Sequence, residues 1–330
     1  MARTRYASDP GLIARMGATM FLLGLVFVGL VVALFYVLDI YSKRGGQAGG
    51  GDGLVIIVAL IGIGSAWASY YWSDKIAIRA SGARLVTPND GPEAARLHAI
   101  VDRICALADM PKPRVAIAPT SMPNAFATGR STKVAVVCAT SGLLNKLDNN
   151  EELEGVLAHE MSHVAHKDVA VMTIASFLGI IAALLVRFAF YSELFGGGGR
   201  GRGGGNRGGN ANALPVILIV MVVGMVTYAI SFLLIRLLSR YRELSADRSA
   251  ALLTGRPSAL ASALVKVTGE MAKIPTRDLR TAEPLNAFYF TPALSARGSQ
   301  FSLSQVFSTH PSLDKRLAQL DKISRQLGRQ

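Results

Sequence analysis

Four long apolar blocks alternate along the chain with polar stretches of shorter period. Gly17–Leu38, Leu54–Trp72, Val169–Val186 and Leu214–Ile235 carry no charged side chain. A helix needs about 20 apolar residues to cross a bilayer. The pattern therefore predicts spans at about 17–38, 54–72, 169–187 and 214–236. The third is the shortest and closes on Arg187, whose side chain is expected to reach the interface. The first run exceeds the roughly 7–15 residues of a signal-peptide core and has no small-residue cleavage site, so it reads as a signal anchor.

The intervening pieces read differently. Pro92–Met110 has helical spacing, with Ala95, Ala99, Ile100, Ile104, Leu107 and Ala108 as its apolar stripe, and Pro111 and Pro113 stop it. Arg114–Ala118, Asn124–Thr128 and Lys133–Val137 read as strands, with a turn at Gly129-Arg130-Ser131. A short helix starts at Ser141. Asn149/Asn150 cap a longer one, with Glu151, Glu152 and Glu154 near its positive end. The fourth span is expected to continue as helix through Glu243 and Asp247 to Thr254, where Gly255 and Pro257 end it. Ser258 caps a helix to about Ala272, residues 275–309 lack periodicity, and Pro311–Leu327 reads as an amphipathic helix.

This divides the chain into an N-terminal segment and hairpin (1–72), a soluble piece (73–168), a second hairpin (169–238) and a second soluble piece (239–330). Residues 196–209 are almost wholly Gly, Arg and Asn, a composition that builds no core and reads as a flexible loop. Four spans return both soluble pieces to one side. Arg3, Arg5, Arg15, Lys75, Arg79, Arg240 and Arg242 flank the spans there, against Lys43, Arg44, Arg200, Arg202 and Arg207 opposite. The excess puts the soluble pieces in the cytosol.

Charge and cysteines change this little. The formal net charge of +13 is explained by residues flanking spans beside an anionic leaflet. No nucleic-acid recognition motif accompanies it, so no nucleic-acid partner is expected. Cys105 and Cys138 lie in the cytosolic piece without metal spacing and read as small buried thiols.

The candidate chemistry lies beside the spans. His159-Glu160-Met161-Ser162-His163 sets two imidazoles four residues apart on one helical face, able to share one zinc, with Glu160 held back as general base. A catalytic zinc needs a third protein ligand and an open position. Glu243 is the candidate. Two spans separate it from His163, so both return to one side, and both lie roughly 9–12 Å from the hydrocarbon edge at 1.5 Å per residue. Asp247, one turn after Glu243, is placed to accept the other N–H of a ligating histidine. His166, three residues after His163, fits neither metzincin nor inverzincin spacing, and Asp168 reads as a cap or supporting carboxylate. The chemistry that follows is metal-assisted peptide hydrolysis at a membrane.

Four pieces then carry a resemblance: Pro123-Asn124-Ala125-Phe126-Ala127-Thr128-Gly129, the His159–His163 motif, Ser239-Arg240-Tyr241-Arg242-Glu243-Leu244-Ser245-Ala246-Asp247, and Thr309-His310-Pro311. In this order the chain resembles the HtpX-type membrane zinc metalloproteases, close in pattern to the CAAX prenyl proteases. The resemblance implies a mainly α membrane protein with four transmembrane helices and a cytosolic zincin-like α+β protease domain holding a small sheet. It implies one zinc per chain on His159, His163 and Glu243, with Glu160 as base. It implies a bacterial inner-membrane endopeptidase that clears damaged membrane proteins under stress. It also suggests that Asn124, Ala125 and Phe126 form an edge strand for substrate, against the plainer reading of a structural strand. His310 either steadies an oxyanion or is structural. The Gly/Arg loop is outside the family pattern. A prenyl-peptide protease and a catalytically idle membrane scaffold are the competing readings. Four spans rather than a larger enclosed chamber disfavour the first, and two intact metal motifs disfavour the second.

Overall fold

The structure, a computed structural model, describes residues 10–43, 51–196, 213–273 and 310–328. The Gly/Arg loop from residue 197 and the loop expected over 275–309 lie outside the described residues. The described helices are α1 (Pro10–Lys43), α2 (Gly51–Ser81), α3 (Pro92–Ala108), α4 (Ser141–Lys146), α5 (Asn150–Ala165), α6 (Asp168–Gly196), α7 (Ala213–Thr254), α8 (Pro257–Lys273) and α9 (Leu313–Leu327). The described strands are β1 (Arg84–Leu85), β2 (Arg114–Ala118), β3 (Ala125–Thr128) and β4 (Val136–Thr140). The apolar blocks fall within α1, α2, α6 and α7. Among the described residues, Pro10–Leu30 and Leu218–Thr254 are long and apolar enough to cross a membrane. The side chain of Arg187 lies outside the described set.

The chain divides into two compact units. One comprises Met1–Met16, Ser69–Val171 and Arg236–Gln330, the other Gly17–Ala68 and Met172–Ile235. The first holds all the candidate chemistry. Its sheet runs β1-β2-β4-β3, with β2 and β4 parallel and the outer pairs antiparallel. Alternation along the strands sorts side chains to two faces. Val115, Ile117, Val137 and Ala139 join the main core with α3, α5 and α8. Ala116, Ala118, Val136, Cys138 and Phe126 pack instead around Ala77, at the end of α2. Asp74 of α2 holds Arg114 of β2 at 2.6 Å, and the Arg130 guanidinium sits 4.8 Å over the Tyr71 ring.

Three local expectations shift. In α3 the buried stripe keeps the expected Ile100, Ile104 and Ala108 and adds Ala94, Leu97 and Val101, while Ala95 and Ala99 are exposed. The branched residues set the face, and alanine tolerates either side. β4 begins at Val136, three residues after the expected start, because residues 131–134 continue the turn. β1 is two residues long and has no counterpart in the sequence pattern. α8 begins on Pro257, whose missing N–H costs nothing in a first turn. α7 runs unbroken to Thr254, and Gly255 takes φ +68° to end it.

Candidate metal centre

α5 is anchored before its histidines begin. The Asn149 side chain accepts from the Glu151 N–H at 2.9 Å and caps the helix. Glu152 accepts from Ser262 and Lys266 of α8, and Glu154 pairs with Arg103 of α3. These two glutamates are buried rather than solvated. Gly155 lets α8 approach closely, since a Cβ there would stand 3.2 Å from the Leu260 backbone. Leu153, Val156, Leu157 and Met161 fill the core, and His159 and His163, one turn apart, share a flanking face.

The two imidazoles meet edge to face, with centroids 4.9 Å apart and planes at 88°. His159 is fully buried. Nε2 of His159 lies 3.6 Å from Glu243 Oε2, and Nε2 of His163 lies 3.5 Å from Glu243 Oε1. Ligand atoms of the three residues all fall within 4.8 Å of one another. Tetrahedral bonds of about 2.0–2.1 Å separate neighbouring ligand atoms by about 3.3–3.4 Å. The observed spacing thus fits one metal ion between them.

The opposite ring nitrogens reinforce that fit. His159 Nδ1 lies 2.9 Å from Asp247 Oδ1, and His163 Nδ1 lies 2.6 Å from Asp168 Oδ2. In the neutral rings, an Nδ1–H directed at each carboxylate would leave Nε2, on the Glu243 side, available to bind metal. Asp247 thus stands where the helical spacing places it. Asp168, which reads in the sequence only as a cap or supporting group, backs the second histidine. Each aspartate has its own arginine: Arg316 for Asp247 and Arg242 for Asp168. The sequence pattern singles out neither arginine for this role. Arg242 reads there as a span-flanking charge and as part of the Ser239–Asp247 motif, with no partner named.

The remaining candidates gather around this cluster. The Glu160 carboxylate accepts the Ala127 N–H at 3.3 Å and, among the described residues, belongs to no ligand group. β3 is one of the two outer strands of the sheet among the described residues. The Thr140 N–H donates to Asn124 O, and by alternation Phe126 and Thr128 also bond across to β4. The peptide groups of Ala125 and Ala127 therefore point away from β4, as the Ala127 bond to Glu160 requires. His310 Nδ1 lies 3.0 Å from Glu243 Oε2 and is buried. His166 caps the end of α5 through its backbone and joins no metal group among the described residues.

Known proteins resemble this chain along most of its length. The model of peptidase family M48 matches residues 92–324. Protease HtpX homolog 1 of Streptomyces coelicolor is 55% identical, over 99% of this chain and 97% of that protein. Protease HtpX homolog of Moorella thermoacetica is 45% identical, over 98% of each. The crystal structure of S. mikatae Ste24p matches with TM-score 0.49 and 18% identity, over 93% of this chain and 67% of that one. With a family model over more than half its length and relatives aligned nearly end to end, the chain belongs to peptidase family M48 as a membrane metalloendopeptidase of the HtpX type.

Proposed function

We propose that the chain is a zinc-dependent endopeptidase held by four membrane-crossing helices. Its protease domain, built from residues 73–168 and 239–330, faces the cytosol at the plasma membrane and cleaves misfolded or damaged membrane proteins. The observation that carries the reading is the convergence of His159, His163 and Glu243 within 4.8 Å. Two imidazoles and one carboxylate suit zinc, and three protein ligands leave a position open, as catalytic sites do. When bound, zinc supplies Lewis acidity that polarises a peptide carbonyl and makes water more acidic.

The chain's own residues do the rest. His159, His163 and Glu243 hold one ion per chain. Asp247 and Asp168 fix the histidine tautomers. Glu160 takes the proton of the attacking water and delivers it to the leaving amine. In the metal-free protein, burial raises the Glu160 pKa above the ordinary carboxylate value, against the opposing pull of His159 and His163. The edge segment Asn124-Ala125-Phe126 adds substrate backbone as a further strand. His310, beside Glu243, is the candidate to steady a developing oxyanion.

Burial disfavours a charged His159, but Asp247 and Glu243 outweigh it and raise its pKa to about 9 in the metal-free protein. Coordination needs the neutral ring, so metal must expel that proton at any pH below about 9. The proton is held more firmly as pH falls, so affinity falls by about tenfold per pH unit from this group alone. Calorimetric zinc titration in two buffers of different ionisation enthalpy checks this. It should show at least one proton released per metal near neutral pH.

Sidedness is tested by a Gly203→Cys variant, in the segment between α6 and α7. Cys105 and Cys138 are buried and free, and burial pushes their pKa values to about 11 and about 12. Both stay silent towards a maleimide in the folded protein. A membrane-impermeant maleimide should label the new cysteine on intact cells. Labelling only after lysis would contradict the four-span topology. The substrate class is tested by mass spectrometry of proteins trapped by Glu160→Gln in stressed cells. Recovery of soluble proteins alone would contradict the quality-control role.

A further inference from the structure

α9 carries an arginine where its pattern calls for an apolar residue. Leu320 and Ile323 face the core, and Arg316, four and seven residues before them, shares that face. Arg316 is 1% exposed. A guanidinium so buried needs a matched acceptor. It finds one across 69 residues of sequence: Nε donates to Asp247 Oδ2 at 2.7 Å and Nη2 to Asp247 Oδ1 at 2.6 Å. This two-pronged bond fixes the carboxylate in position and in plane. Asp247 Oδ1 in turn faces His159 Nδ1 at 2.9 Å. The Gln319 side chain adds a second tie, donating to Leu244 O at 2.7 Å.

We propose that Arg316 is a positioning residue of the metal centre, which holds the Asp247 carboxylate so that His159 keeps the ring orientation that aims Nε2 at the metal. The C-terminal helix thereby completes a site whose direct ligands all lie on α5 and α7. The inference rests on the proposed reading of His159 as a ligand. The other histidine is braced differently: Arg242 reaches Asp168 through Nε, at 2.9 Å. The geometry of the fork, and not charge alone, is what Arg316 contributes. Lysine supplies the charge without the fork.

The test uses the full-length chain in detergent, stripped of metal. Zn²⁺ affinity is read by competition with a chromophoric chelator, and ligand geometry by the visible absorption of the Co²⁺ form. Near-UV circular dichroism confirms folding of every variant. Arg316→Lys should bind Zn²⁺ about 10–100-fold more weakly, with an altered Co²⁺ spectrum. Arg325→Ala, an exposed change on the same helix, should match wild type. Wild-type affinity and spectrum in Arg316→Lys would overturn the proposal. If Arg316→Lys does not fold, Arg316→Ala with millimolar guanidinium replaces it. Restoration by guanidinium but not by methylammonium supports the fork, and equal restoration by both overturns it. Glu243→Ala runs alongside. Zn²⁺ loss there with none in Arg316→Lys defeats only the positioning role, whereas full binding in Glu243→Ala defeats the ligand reading beneath it.

Discussion

Glu160→Gln is expected to retain its metal and lose about 10²–10⁴-fold in kcat/KM on a peptide substrate. The amide has the shape of the carboxylate and can still accept the Ala127 N–H, which lies 3.3 Å from Oε2. It cannot take a proton from water. Glu160 lies outside the group formed by His159, His163 and Glu243, so the metal has no reason to leave. Cleavage of a quenched fluorescent peptide, measured beside metal content in one preparation, separates the two effects. Wild-type turnover in this variant would rule out Glu160 as the general base.

The second large effect is expected at Asp247. Asp247→Ala removes the acceptor of both Arg316 bonds and the carboxylate facing His159 Nδ1. Asp247 and Arg316 are both essentially inaccessible to water. Breaking a buried pair by deleting one partner costs about 3–5 kcal/mol, because the remaining charge stays desolvated. Asp321→Ala, which breaks an exposed pair with Arg325 on the same helix, should stay within about 0.5 kcal/mol of wild type. Unfolding of both variants in detergent checks the contrast. A loss at Asp247 no larger than at Asp321 would contradict the buried network.

Much of the site is legible in the sequence because it is local. The His159–His163 spacing fixes two rings on one face of a helix whatever surrounds it, and Asp247 follows Glu243 by one turn. The end of α7 at Thr254 is written in Gly255 and Pro257. Sequence and structure part where weak local preference meets tertiary packing. Ala95 and Ala99 are apolar but too small to choose a face, and Leu97 with Val101 chooses it. Nothing local announces β1, whose two residues are strand only because β2 lies beside them. The parallel pairing of β2 with β4 has the same origin. Arg316 hides among Lys315, Lys322 and Arg325 on a basic helix. Its one signal is its register with Leu320 and Ile323, since a charge on an apolar face implies a buried partner without naming it.

The central claim is that Glu243, from the C-terminal part of α7, joins His159 and His163 as the third ligand. Metal analysis of purified Glu243→Ala, with Glu160→Gln as reference, tests it most directly. The prediction is about one zinc per chain in Glu160→Gln and little in Glu243→Ala, because two remaining ligands hold the ion poorly. A full complement of zinc in Glu243→Ala would contradict it.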